Sequence, residues 1–144
     1  MKHLLIIFSL LVTTISWSKD VEMKDLVFRD GLYFEEFSNE PFNGKVIGLL
    51  QGKIKKGKKE GEWQQYNLKN GMLDLIMNFK NGKLHGELID YYADGTIRLK
   101  GLLKEGKRDK EWFYYDVSNK LEKKEIYKNG KLEKTTYSSF WKNL

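Results

Sequence analysis

Six Asx-Gly pairs punctuate the chain: Asp30-Gly31, Asn43-Gly44, Asn70-Gly71, Asn81-Gly82, Asp94-Gly95 and Asn129-Gly130. Each stands between short runs rich in aromatic or branched residues. A two-residue turn with positive φ at both central positions selects such pairs, so each one predicts a tight β-hairpin. The later pairs fall on a grid. Gly57, Gly82, Gly106 and Gly130 are spaced 25, 24 and 24 residues apart. Within the units Gly57 is followed by Gly61, Trp63, Tyr66 and Gly71; Gly82 by Gly86, Leu88, Tyr91 and Gly95; Gly106 by Lys110, Trp112, Tyr115 and Asn119. A fourth unit opens at Tyr127 and loses the pattern at Thr135. Self-similarity at a short fixed period marks a quasi-linear repeat array.

Each unit holds two strands. Leu73, Leu75, Met77 and Phe79 alternate with Asp74, Ile76 and Asn78. Ile97, Leu99 and Leu103 alternate with Arg98, Lys100 and Leu102. Period two is the strand signal. The single proline, Pro41, lies outside the repeats, where it removes no ladder hydrogen bond. The predicted fold is all-β: an elongated, open antiparallel meander of about eight to ten strands built from successive hairpins. Residues 19–52, with an irregular echo of the pattern, read as an N-terminal cap; 53–137 as the repeats; 138–144 as a C-terminal tail. A terminal unit needs such caps to blunt its open edge.

The first 18 residues read differently. Met1-Lys2-His3 is a short basic start, Leu4 to Val12 is apolar, and Ser16-Trp17-Ser18 puts small residues ahead of Lys19. This is the pattern of a secretory signal cleaved near Ser18. The apolar run is well short of the roughly 20 residues that span a membrane. The expected location is therefore outside the cytoplasm: periplasm, cell surface or medium. The chain has no cysteine, hence no disulfide, no thiol nucleophile and no Cys-based metal site.

The formal charge is +6, and removal of Lys2 with the signal leaves 25 basic against 20 acidic residues. The cations are nearly all lysines; Arg29, Arg98 and Arg108 are the arginines. Base readout favours Arg, and lysines interleaved with glutamates keep a sheet soluble, so no nucleic-acid partner is expected.

The residues of the units resemble the MORN-variant repeat of bacterial proteins grouped as YwqK-type antitoxins. Phe79-Lys80-Asn81-Gly82-Lys83-Leu84-His85-Gly86, then Tyr91 and Asp94-Gly95, match its pattern closely. Lys56-Gly57-Lys58-Lys59-Glu60-Gly61-Glu62-Trp63, then Tyr66 and Asn70-Gly71, match as well. The unit opened by Gly106 departs at Lys110, where that family has glycine, and at Asn119, where a turn glycine is expected. The resemblance covers roughly Gly52 to Tyr137. It implies an elongated, twisted sheet of hairpins. It also implies either an antitoxin-like partner of a toxin or a surface, membrane-associated or scaffolding protein.

Catalytic chemistry finds little to work with. His85 is the one histidine after the signal, at a turn position that Glu60 and Asp109 fill in neighbouring units. It has no assignable nucleophile, and alone it cannot build a metal site. Glu62, Glu87 and Glu111 share one offset, which repetition produces without catalysis. Gly57/Gly61 and Gly82/Gly86 open no helix, so they form no phosphate loop. No enzyme activity, metal or cofactor is expected. Surface recognition remains. Trp63, Tyr66, Tyr91, Tyr92, Trp112, Tyr114 and Tyr115 are the candidate anchors, for an unidentified protein or cell-envelope surface. The other reading of this aromatic row is that it forms the core of the sheet itself. The lysine-rich turns give a further expectation, contact with anionic lipid headgroups.

Overall fold

The computed structural model describes residues 20–138. The expected signal segment and residues 139–144 of the expected tail lie outside the described residues. The order of elements is β1 (Val21–Glu22), a 3-10 turn (Met23–Asp25), β2 (Leu26–Arg29), β3 (Leu32–Glu35), β4 (Gly44–Ile47), β5 (Leu50–Lys55), β6 (Lys58–Tyr66), β7 (Leu73–Lys80), β8 (Lys83–Tyr91), β9 (Ile97–Lys104), β10 (Lys107–Tyr115), β11 (Leu121–Lys128) and β12 (Lys131–Tyr137). Ten strands form one open sheet in the order β1-β4-β5-β6-β7-β8-β9-β10-β11-β12; β2 and β3 pair separately. From β4 onward every neighbour is antiparallel and sequential. This is the hairpin meander that the turn spacing predicts. One feature differs: β1 runs parallel to β4, because the chain leaves the sheet to form the β2–β3 ribbon and then returns.

The turns sort into two kinds. Asp30-Gly31, Asn81-Gly82 and Asn129-Gly130 are tight two-residue turns with positive φ at both positions, for instance 52° and 82° at Asn81 and Gly82. Lys56-Gly57 and Glu105-Gly106 adopt the same geometry without Asx in first place. The other Asx-Gly pairs are not tight hairpins. Asp94-Gly95 closes a three-residue loop: Gly95 N–H donates to Tyr92 O and Tyr92 N–H to Thr96 O. Residues 116–120 repeat that loop with Asn119 in place of glycine at φ 58°. Asn70-Gly71 belongs to a longer loop between Asn67 and Met72. Asn43-Gly44 makes no turn at all; Gly44 opens β4, where the Phe42 ring lies 2.5 Å from the place of a Cβ.

A bulge follows each tight turn inside the repeats. Between the pairs Gln51↔Gln64 and Lys53↔Glu60, four steps on β6 face two on β5. β8 and β10 repeat the excess against β7 and β9. The residue that absorbs it has positive φ: Gly61 at 70°, Gly86 at 107° and Lys110 at 59°. The second glycine of the unit is thus a bulge residue.

Core packing has two centres. Val21, Phe42, Val46, Ile54 and Trp63 form one cluster, to which Met23, Leu26, Tyr33 and Phe79 add. The cap segment therefore roofs the first unit. Further along the sheet Leu103 of β9 and Trp112 of β10 are the buried apolar residues. Burial of each large side chain contributes up to about 3 kcal/mol.

Candidate functional site

A meander puts alternate turns on opposite edges of its sheet. The four tight turns of the repeats therefore share one edge, and hydrogen bonds stitch them together. Gly82 N–H donates to Lys59 O (2.9 Å), Gly106 N–H to Leu84 O (2.7 Å) and Gly130 N–H to Arg108 O (2.8 Å). Each acceptor lies two residues beyond the preceding turn glycine. At the head of the row Gly57 N–H donates to Phe42 O, and Tyr33 N–H to Gly57 O, both at 2.8 Å. The β2–β3 ribbon is thereby fastened to the first turn.

This edge is basic. Lys55, Lys56 and Lys58, Lys80 and Lys83, Lys104 and Lys107, Lys128 and Lys131 flank the four turns, and all are exposed. The acids among them are largely occupied. Glu60 accepts from Asn81 N–H at 2.8 Å, Asp109 faces Asn129 N–H at 3.5 Å, and Glu105 lies 3.3 Å from Lys83 Nζ. His85 stands at the matching position of the second unit, with Nδ1 3.4 Å from Glu105 Oε1. The residue is not on a turn as the sequence suggested: it lies inside β8 and is half-buried, because the strand resumes directly after Gly82. The opposite edge carries the longer loops, with Asp94 and Asp116 tied to their own loop N–H groups and Leu68 and Val117 exposed.

The seven aromatic candidates do not form one row. Trp63 and Trp112 project from one face and are 0% and 2% exposed, so their rings belong to the core and offer no surface to a partner. Each lies on a cross-strand glycine: a Cβ on Gly52 or Gly101 would stand 2.3 Å from the indole. Tyr66, Tyr91 and Tyr115 stand an odd number of positions further on and project from the other face, half-buried. Tyr66 Oη donates to Gln64 Oε1 at 2.8 Å. Burial, aided by Glu87 and Glu62, pushes the Tyr91 hydroxyl above its ordinary range. Lys100 stands 6.0 Å from the rings of both Phe113 and Tyr115. Tyr92, beyond the end of β8, donates from Oη to Tyr115 O at 2.8 Å and links two loops of the far edge.

Tyr114 belongs to a polar cluster on the tryptophan face. Its hydroxyl donates to Glu125 Oε2 at 2.6 Å, Tyr127 Oη donates to the same oxygen at 2.9 Å, and Lys123 Nζ meets Oε1 at 2.9 Å. Arg108 Nη1 donates to both tyrosine hydroxyls, at 2.7 and 2.9 Å. Burial alone would raise the Glu125 carboxyl; the Tyr114 hydroxyl, the Lys123 ammonium and the Tyr127 hydroxyl outweigh it and hold the group below the usual carboxylate range. Burial and the bond to Glu125 push the Tyr114 hydroxyl far up.

A second pattern runs through the units at the position two past each turn glycine. Arg108 stacks on Trp112 at 4.2 Å and lies 5.3 Å from Tyr127. Lys59 stacks on Trp63 at 4.4 Å and lies 5.2 Å from Phe79. The middle unit has Leu84 there, with Leu88 in place of tryptophan. Charge counting treats Lys59 as one more surface lysine, and only the offset it shares with Arg108 marks it in the sequence. Beside Lys59 a cleft of about 310 Å³ opens between the β2–β3 ribbon and the first two tight turns of the repeats. Phe28, Tyr33 and Phe79 wall it, with Lys58, Lys59 and Lys83 around them. Among the described residues no cluster of His, Asp or Glu is arranged to hold a metal ion.

No family model matches the sequence, and no curated protein matches it.

Proposed function

We propose that this chain is an exported, non-enzymatic binding protein of the MORN-variant type, which meets an acidic protein surface through the lysine row of its tight-turn edge. The observation that carries the reading is the one-sided placement of charge. Nine exposed lysines flank four turns held in line by backbone hydrogen bonds, and their acids are mostly engaged in the turns themselves. A rigid row of like charge steers an oppositely charged partner and fixes its register. The repeat supports a recognition role in a second way: it spends its tryptophans on packing and presents a long, regular edge. Export rests on the residues before Lys19.

The lysine row also suits anionic lipid headgroups. An antitoxin-like role is the alternative that the resemblance brings. Soluble polyglutamate and vesicles containing an anionic lipid separate the first two. Polyglutamate binding that weakens steeply between low and physiological salt supports the proposal. Binding to vesicles alone replaces it with the lipid reading. Sequencing the N-terminus of the protein recovered from cell fractions tests export.

A further inference from the structure

The first and third repeats contain the same cation-on-tryptophan arrangement, but only the third supplies its counter-ion. Around Arg108 the set is Trp112, Tyr127 and Glu125, whose Oε2 lies 3.6 Å from the guanidinium. Strand pairing sets Glu125 directly across from Trp112. Around Lys59 the set is Trp63, Phe79 and, directly across from Trp63, Met77. The carboxylate has been replaced by a thioether. Among the described residues no carboxylate reaches Lys59, and burial against the rings pushes its ammonium below the ordinary lysine range. A half-buried cation without a counter-ion is costly, and an anion delivered to it gains more than it would in water.

The way in is the aromatic cleft. Phe28, 61% exposed, leans on Tyr33 with ring centroids 4.8 Å apart, and Phe79 closes the inner side. Lys58 and Lys83 stand at the rim, Lys83 already sharing Glu105. Among the described residues the third unit lacks this outer wall, because the β2–β3 ribbon that forms it is fastened to the first turn.

We infer that the cleft between the β2–β3 ribbon and the turns at Gly57 and Gly82 is a receptor for a side-chain carboxylate flanked by an aromatic ring, presented by an acidic segment of a partner polypeptide. The carboxylate takes at Lys59 the place that Glu125 takes at Arg108. The neighbouring ring packs on Phe28 and Tyr33, where offset or edge contacts between rings add to burial. This deepens the proposed function, and rests on it for the identity of the partner as a protein.

The test is an NMR titration of the isotope-labelled chain with N-acetyl-glutamyl-phenylalanine amide. The glutaminyl analogue, the glutamyl-alanine analogue and inorganic phosphate serve as controls. The inference expects saturable shifts at Lys59, Phe28 and Tyr33. It expects affinity about tenfold lower without the carboxylate, and about tenfold lower in Lys59→Met, as for a lost charged hydrogen bond. Phe28→Ala, at an exposed position of the wall, weakens the dipeptide severalfold and the glutamyl-alanine analogue little; it decides the matter should Lys59→Met fail to fold. Equal binding of the acid and the amide overturns the inference. So does phosphate binding as tightly as the dipeptide, or shifts spread over the exposed turn lysines. The edge itself is probed separately with Lys104→Glu and Lys128→Glu, which lie outside the cleft. If these weaken polyglutamate binding while the dipeptide leaves Lys59 unmoved, the cleft is refuted and the edge stands.

Discussion

The indole of Trp112 lies flat on Gly101, so close that a Cβ on the glycine would stand 2.3 Å from Cδ2. Trp63 covers Gly52 at the same distance. Neither glycine has positive φ; what each supplies is the space its missing side chain leaves. Gly101→Ala must therefore displace a buried ring from a packed sheet. A loss of about 3 kcal/mol is expected by denaturant unfolding, at the upper end for overpacking. Gly52→Ala should cost as much. Gly71→Ala meets nothing within 4 Å but must hold φ near 68°, and should cost only about 1 kcal/mol.

Glu125 joins two tyrosine hydroxyls and a lysine ammonium while only 8% exposed. Glu125→Ala leaves those donors without their acceptor. Because Arg108 and Lys123 keep part of their water contact, the expected loss is about 2 kcal/mol rather than the larger figure for a wholly buried pair. The carboxyl is depressed in the folded state, so its contribution is present above the unfolded value of 4.5 and disappears as pH falls through the lower folded value. Stability measured from pH 7 downward should start to fall near that unfolded value in the native chain. Glu125→Gln should flatten this part of the curve.

Lys110 holds the bulge of the third unit at φ 59°, where the two preceding units place Gly61 and Gly86. A left-handed lysine costs about 1–2 kcal/mol, while glycine returns some of this through the freedom of the unfolded chain. Lys110→Gly should therefore stabilise the protein by roughly 0.5–1 kcal/mol. A midpoint unchanged or lowered in urea would show that the bulge there is not strained.

The period and the strand order were legible because each depends on local chemistry. Asn81-Gly82 and Asn129-Gly130 declare their turns through residues that tolerate positive φ at low cost. Lys56-Gly57 and Glu105-Gly106 declare theirs only through the spacing, since neither first residue favours that region. Asn43-Gly44 carries the turn signal without the turn. There the glycine is required by the Phe42 ring instead, and Asn43 Oδ1 accepts from Lys56 N–H at 2.6 Å.

The site was less legible. Trp63 and Tyr66 differ by three positions, so parity sends them to opposite faces, yet parity does not say which face the cap will roof. That depends on β1 crossing to β4 and on Tyr33 N–H reaching Gly57 O, contacts between segments with no shared pattern. Lys59 meets Phe79 only because β6 and β7 pair in register, and its missing counter-ion emerges only when Met77 is set beside Glu125.

The proposed recognition belongs to the edge of tight turns and not to net charge. Two double variants with the same change in charge separate these: Lys80→Glu/Lys128→Glu on that edge, and Lys69→Glu/Lys120→Glu on the loops opposite. All four lysines are exposed. Isothermal titration with polyglutamate at low salt should show at least about tenfold weaker binding for the first pair, and a change within about twofold for the second, as for charges inside and outside a contact zone. Equal losses in both pairs, or none in either, would contradict the account.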